Sequence, residues 1–264
     1  MRVSVFLEFA RLRLKERMEY RAAYMIGVVT QIFGYGAQFV VVWLLLNRFG
    51  TINGWTWPQV AFLYSFELFT YALGAAFTFS PMTDLERMVR DGTFDGVLVR
   101  PTNPYMYLIA RMYNVGYVAH VLLAAGVLIW AITQLRVAWT PLTLAYLVAA
   151  IVSAALIQMA ALTFIGAWAF SLGRIGFLFT LHYQVKDFVL YPVSVYGASI
   201  QLLLTVIVPF AFINFYPASA LLSKSGALFP SWIGWLAPIV GPVLFLGAYR
   251  FWSRGVNAYQ GAGG

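Results

Sequence analysis

Among the stretches of this chain that carry no charged residue are 22–46, 25 residues long, and 137–173, 37 residues long. At ~1.5 Å per helical residue, each can cross the ~30 Å hydrocarbon core of a bilayer. Backbone groups inside lipid must satisfy one another, which leaves only helices or a closed barrel. A barrel needs strands of alternating polarity, and continuous apolar runs lack that alternation. The rest of the chain agrees, with 62% hydrophobic and 10% charged residues and a mean hydropathy of +0.79. The expected fold class is an all-α polytopic membrane protein whose polar islands are too short to build a soluble domain.

Six spans are expected, near 22–46, 58–80, 105–135, 142–171, 192–215 and 232–250. The first run is too long for the apolar region of a cleaved signal peptide. Gln31, Gln38 and the Gly34/Gly36 pair mark a face of the first span that packs on protein rather than lipid. Residues 51–57 (TINGWTW) form a turn with interfacial tryptophans. Ahead of the spans, residues 1–21 place Val3, Leu7, Ala10, Leu14 and Met18 on one helical face and Glu8, Arg11, Lys15 and Glu19 on another. That is the pattern of a helix lying in the membrane interface. Residues 172–191, with Arg174, Lys186 and Asp187, read as a cytoplasmic segment. The stretch 218–231 is too polar and too punctuated by Pro and Gly to span, and Pro238 and Pro242 break or kink the start of the last helix. With the N-terminus inside, 14 of the 17 basic residues fall on inner segments, leaving Arg48, Arg136 and Lys224 outside, as the positive-inside rule asks. Both termini are then cytoplasmic, with 251–264 as a short tail. The net charge of +8 reflects this topology rather than a nucleic-acid partner.

The residue inventory excludes most chemistry. There is no cysteine, and none of the three lysines follows a glycine, so no phosphate-binding Gly-Lys loop exists. His120 and His182 stand 62 residues apart, outside any metal-ligand spacing. Eight of the nine acidic residues lie in segments assigned to the inner side. The chain is therefore expected to be no enzyme, to bind no cofactor or metal, and to take any energy for uphill work from another polypeptide. Glu67 is the one acidic residue placed inside a span, at an insertion cost of roughly 2.5–3.5 kcal/mol. Tyr64 and Tyr71, one turn to either side, can hydrogen-bond it. Its role is either a substrate or proton contact or a polar link between helices, and His120 reads as a helix–helix hydrogen bond.

Between the second and third spans lies a polar island, 81–104, PMTDLERMVRDGTFDGVLVRPTNP, holding seven of the 26 charged residues. Thr83, three residues before Glu86, has the pattern of a capping box and predicts a helix start. Leu85, Met88 and Val89 then share one face, with Glu86, Arg87 and Arg90 on the other. Asp91-Gly92 supplies the stop. Such a helix, held at the membrane surface by two spans, either docks a soluble partner or is a solvated loop.

Two stretches carry a family resemblance. Residues 90–111, RDGTFDGVLVRPTNPYMYLIAR, are similar to the G-x-hydrophobic-D-x-x-L-x-R-P signature of ABC-2-type transport permeases. Residues 191–222, YPVSVYGASIQLLLTVIVPFAFINFYPASALL, resemble the Y-P and V-P-x-A-F…P-A pattern near the fifth span of the same branch. The resemblance extends over the whole chain and implies a six-helix half-transporter of an exporter in the cell's inner (plasma) membrane. It implies a second permease as partner, in a heterodimer or a homodimer, and two copies of a separate ABC ATPase that hold the ATP and Mg.

The resemblance also assigns roles. The island becomes the coupling helix, with Leu85, Met88 and Val89 as apolar contacts to the ATPase. Glu86, Arg87, Arg90 and Asp91 form the polar rim, and Gly92 and Asp95 fix the turn. Residues 1–21 become the interface helix, 174–187 a smaller second contact, and the Pro-rich stretch before span six a re-entrant outer gate. Spans one, two and five would line the path, with Gln31, Gln38, Tyr64, Glu67 and Asn214 as polar contacts. Two other classes stay open: a non-transporting scaffold or sensor that docks a partner through the same island, and an intramembrane enzyme acting on lipid or glycan. The latter needs a paired nucleophile or metal cluster.

Overall fold

The computed structural model describes residues 8, 9, 11, 12, 15, 18–224 and 227–261. In chain order its helices are α1 (Arg21–Phe49), α2 (Trp57–Arg90), α3 (Asp95–Leu98), α4 (Pro104–Arg111), α5 (Val118–Gln134), α6 (Pro141–Ala167), α7 (Ala169–Leu172), α8 (Gly176–Lys186), α9 (Ala198–Leu202), α10 (Phe215–Leu222) and α11 (Ala237–Ala258). There is no strand among the described residues. Five helical stretches are long and apolar enough to cross a membrane: Arg21–Phe49, Trp57–Arg90, Val115–Gln134, Pro141–Leu172 and Ser231–Ala258. The chain is an all-α, multi-pass membrane protein.

Local sequence explains where these helices begin. Pro58, Pro104 and Pro141 sit in first turns, where the missing N–H has no intrahelical partner to lose. Thr140 and Thr143 exchange backbone and hydroxyl hydrogen bonds at the start of α6, and Asn103 accepts the Met106 N–H at 3.1 Å to start α4. α2 ends where expected: Asp91 is its C-cap, and Gly92 takes the left-handed φ of +70° that a side chain would resist.

α2 is the hub, with 83% of its spanning window buried against 11% for α1. It packs between α5 and α6, α11 closes on α6, and α1 leans mainly on α5. With lipid outside, close packing rather than expulsion from water holds such helices together. Gly241 of α11 shows how close: a Cβ there would sit 2.0 Å from the Ser153 carbonyl oxygen of α6. The Ser153 hydroxyl enters the α11 ladder itself, accepting the Gly241 N–H at 2.8 Å and donating to Ala237 O. Together with Pro242 inside the helix, this accounts for the irregular start expected of the last span.

The bundle has two ends. At one, Asn53 in the α1–α2 turn donates to Ser194 O at 2.8 Å. At the other, Glu86 near the end of α2 accepts the N–H groups of Ile175 and Gly176 at 2.8 and 3.1 Å. Phe94, after α2, meets the rings of Phe170 and Tyr259, and Tyr20 shares a cleft with Asp84. The start of α1 and the end of α11 therefore lie at the end that carries the polar island. Apolar cores fill both halves, one around Trp55, Phe62, Ile157 and Phe215, the other around Leu85, Phe94, Leu108 and Trp252.

Several sequence expectations are corrected. No helix starts at Thr83: α2 runs unbroken through Pro81, and the Thr83 hydroxyl donates back to Phe79 O and Ser80 O at 2.9 and 3.1 Å. The run 105–135 is two helices, α4 and α5, separated where the Asn114 N–H leaves for Ala76 O and the Asn114 side chain accepts the Gly116 N–H. The run 192–215 is not one helix. Only Ala198–Ile207 is continuous, ending in a π turn, and Val208–Pro209 breaks it because Pro209 has no N–H to continue. Trp55 is 1% exposed, a core residue rather than an interface anchor. Of the expected interface helix at 1–21, the described residues from Glu8 to Glu19 are helical and, Phe9 apart, exposed. Val3, Leu7, Ala10 and Leu14 lie outside the described residues, as do 262–264 of the tail.

Candidate functional site

Three polar features stand out against the apolar bundle. The first is a layer between the two cores. Lys186 at the end of α8 places its Nζ 2.9 Å from Glu67 Oε1, and both side chains are almost wholly enclosed. The Gln158 amide reaches the same carboxylate oxygen at 3.4 Å, and the ammonium lies 4.8 Å from the centroid of the Tyr71 ring. A lone charge at this depth is costly; the pair lets each ion offset the other's lost hydration. The segment 175–194 thus runs from Glu86 at the island end, past Glu67, to Asn53 at the far end.

This changes several assignments. Lys186 is not part of a surface segment: it is 8% exposed and sits inside the bundle. Glu67 is bonded by Lys186 and Gln158, not by its helical neighbours. Tyr64 donates instead to Gln38 Oε1, and Tyr71 shares hydroxyl contacts with Tyr183 at 3.1 Å and Tyr117 at 3.5 Å. Asn214 is fully buried and donates to Leu63 O at 3.0 Å and Val189 O at 2.7 Å. Tyr64, Glu67 and Asn214 are buried and their bonds tie helices together, while Gln38, bonded to Tyr64, lies on an exposed face of α1. His120 lies against the rings of Tyr35 and Tyr117, and its Nδ1 has no partner among the described residues. It does not make the expected helix–helix hydrogen bond through that atom.

A signal for Lys186 was present in the chain. It is a single cation preceded by eleven uncharged residues, 175–185, and, after Asp187, followed by an uncharged run to Ser223. Glu67 is an equally isolated anion. Two orphan charges of opposite sign in apolar surroundings point to each other.

The second feature is the island. Leu85 is 0% exposed and packed in the chain's own core, and Met88 and Val89 are half-buried against it. Glu86 is committed to the Ile175 and Gly176 N–H groups. Arg87 pairs with Asp84 at 3.5 Å, and Arg90 with Asp91 at 3.3 Å, both in the open. Asp95 opens α3, its N–H donating to Gly92 O at 3.2 Å. Within the signature, Phe94 and Val97 are buried, and Arg100 lies over the Tyr107 ring at 5.0 Å. The tip at the end of α3 projects from the island: Leu98 is 38% exposed and Val99 82%.

The third feature is a cleft of about 710 Å³ between the first half of α1, the second half of α2 and the 112–120 segment. It opens near Tyr20 and Asp84, and Tyr71, which faces the ion pair, lines its deep end. Gln31, one of the residues expected on the path, lines it too. No metal-ligand group of three or more is present among the described residues.

Residues 32–263 match the family model described as ABC-2 family transporter protein. No curated protein and no solved structure matches.

Proposed function

Because the chain belongs to the ABC-2 family of transporter proteins, and so is the membrane permease component of an ABC transporter whose ATPase activity resides in separate subunits, we propose that it is one half of an exporter's path. The other half is a second, homologous permease, and two ATPase copies, holding ATP and Mg, drive the pair. The membrane is the cell's inner (plasma) membrane and the island end is cytoplasmic. With Lys186 moved into the bundle, 13 of the 17 basic residues still fall on that side. The segment 175–194 is the sixth crossing, irregular because Lys186 and Pro192 interrupt it.

Docking falls on the tip at the end of α3 rather than on the helix face before it. The observation that carries this reading is the exposed apolar pair Leu98 and Val99, within the polar island and followed by Arg100. An exposed apolar pair within a charged segment fits an interface with a soluble subunit.

The mechanism follows from how the tip is wired. α2 is a continuous 34-residue helix ending beside the tip. It is joined to the sixth crossing by Glu86 at one end, Glu67–Lys186 in the middle, and Asn214, which bridges Leu63 O and Val189 O, in the far half. Closure of the ATPases on ATP would move α2 and this crossing as one body. α1, only lightly attached to it, borders the cleft that widens or narrows. The test is co-purification with the cognate ATPase. Leu98→Asp together with Val99→Asp should leave the chain inserted and folded while ATPase co-elution is lost. Undiminished co-elution would sink the docking assignment.

A further inference from the structure

The cleft has a chemical character of its own. Six tyrosines line it, among them Tyr24, Tyr35 and Tyr71, and its one charged lining group is Asp84. In a chain of net charge +8, a cavity lined by a carboxylate and no cation stands apart. Two cations beside the lining residues are engaged: Arg87 with Asp84 in an exposed pair at 3.5 Å, and Lys186 with Glu67 at 2.9 Å. Two buried polar atoms on the wall, Gln31 Oε1 and His120 Nδ1, have no hydrogen-bond partner among the described residues. Leaving such atoms unpaired costs about 1–3 kcal/mol each, which a donor placed in the cleft would relieve. Aromatic faces attract cations, most strongly where water is scarce. At about 710 Å³ the space suits a small molecule or one lipid headgroup.

We propose that this cleft binds an ammonium group bearing N–H donors. Its charge is held by tyrosine faces and its protons by Gln31 and His120, while Asp84 at the mouth attracts the cation into the cleft. The proposal rests on reading the cleft as part of the path, and it names the class of cargo: an amphiphilic amine. That amine is either a soluble molecule from the island side or the headgroup of an aminophospholipid.

Calorimetric titration of the full chain in phosphatidylcholine nanodiscs, with no ATPase present, tests it. The probes are 2-phenylethylammonium, its N-trimethylated analogue and neutral 2-phenylethanol. The primary ammonium should bind about tenfold more tightly than the alcohol, the ratio expected of one desolvated cation–aromatic contact. The trimethylated probe, lacking N–H groups, should fall between them. Asp84→Asn, at a side chain 40% exposed and so safe for folding, should weaken the primary ammonium several-fold and leave the alcohol unchanged. Gln31→Leu should erase the preference for the primary over the trimethylated form. Equal binding of ammonium and alcohol, or no binding by either, overturns the proposal, as does an Asp84→Asn variant that binds the ammonium like the parent. Exchanging the nanodisc lipid for phosphatidylethanolamine separates the two sources. Competition with the probe identifies the headgroup, and unchanged binding identifies a soluble amine. Because ATPase docking is read at Leu98 and Val99, either assignment can fail while the other stands.

Discussion

The layer around Glu67 and the tip around Leu98 are the two places where this chain departs from a plain apolar bundle, and they are resolved in opposite ways. In the layer the buried charges are answered from within: Lys186 by Glu67, and Glu67 also by Gln158. At the tip nothing internal covers Val99, and the charges beside it pair only in the open. Exposed ion pairs contribute little to stability, whereas a buried pair that loses one member leaves an uncompensated ion. The contrast frames the proposal: charges that the chain satisfies hold it together, and the uncovered apolar pair at the tip is the surface proposed for another subunit. Substitutions in the layer should therefore move stability, and substitutions at the tip should move association.

The largest effect should come from Lys186→Met. It strands Glu67 and should cost about 3–5 kcal/mol of unfolding free energy, read by denaturant titration in detergent. Adding Glu67→Gln should recover most of the loss, since the remaining groups are neutral and Gln158 is in reach. A double variant as unstable as the single one would mean that the pair is not the source of the cost. At the tip, Leu98→Asp with Val99→Asp should shift unfolding by no more than about 0.5 kcal/mol, yet weaken ATPase association by about 2 kcal/mol or more if these are the interface anchors. Leu85→Asp cannot serve as the docking test. It places a charge in the core, and its loss of association would follow from misfolding.

How much of this could be read from the chain depends on the range of the interaction. Charge-free runs announce spans, so the crossings at 22–46, 58–80 and 142–171 were legible, as was the helix stop at Asp91-Gly92. Some misreadings come from treating a charge or a proline as a boundary, at Pro81 and Lys186; others come from running together what Asn114 and Pro209 break, at 105–135 and 192–215. Pro81 sits inside α2, and one turn before it Ala76 O is taken by the Asn114 N–H from a neighbouring segment. Lys186 was assigned to the surface because its partner lies 119 residues away. The capping-box pattern at Thr83 and Glu86 carries no information about tertiary partners. Thr83 bonds backwards into its own helix, and Glu86 caps a different one. The cleft had no linear signature, since its tyrosines come from three separate segments.

Glu86 sharpens the comparison because it belongs to the island by sequence and to the fold by contact. Its carboxylate accepts two N–H groups at the start of α8, where helix dipole and unpaired donors both favour a negative charge. Glu86→Ala should therefore cost about 1–2 kcal/mol of stability and leave association with the ATPase unchanged. Loss of association at parental stability would return it to the docking rim.

The smallest effect tests the boundary between the two regions. Arg100 follows the exposed tip, yet its guanidinium stacks over Tyr107 at 5.0 Å, a ring that is itself buried and touched by Phe9. If that contact anchors the tip to the bundle, a double-mutant cycle with Arg100→Ala and Tyr107→Leu should return a coupling of about 0.5–1 kcal/mol, the range for an exposed cation–aromatic pair. The same cycle read on ATPase association should return the same sign, because a loosened tip must be ordered again on docking. A coupling near zero in both readouts would make Arg100 part of the free surface, extending the docking patch by one cation and shrinking the anchored region to Phe94 and Val97.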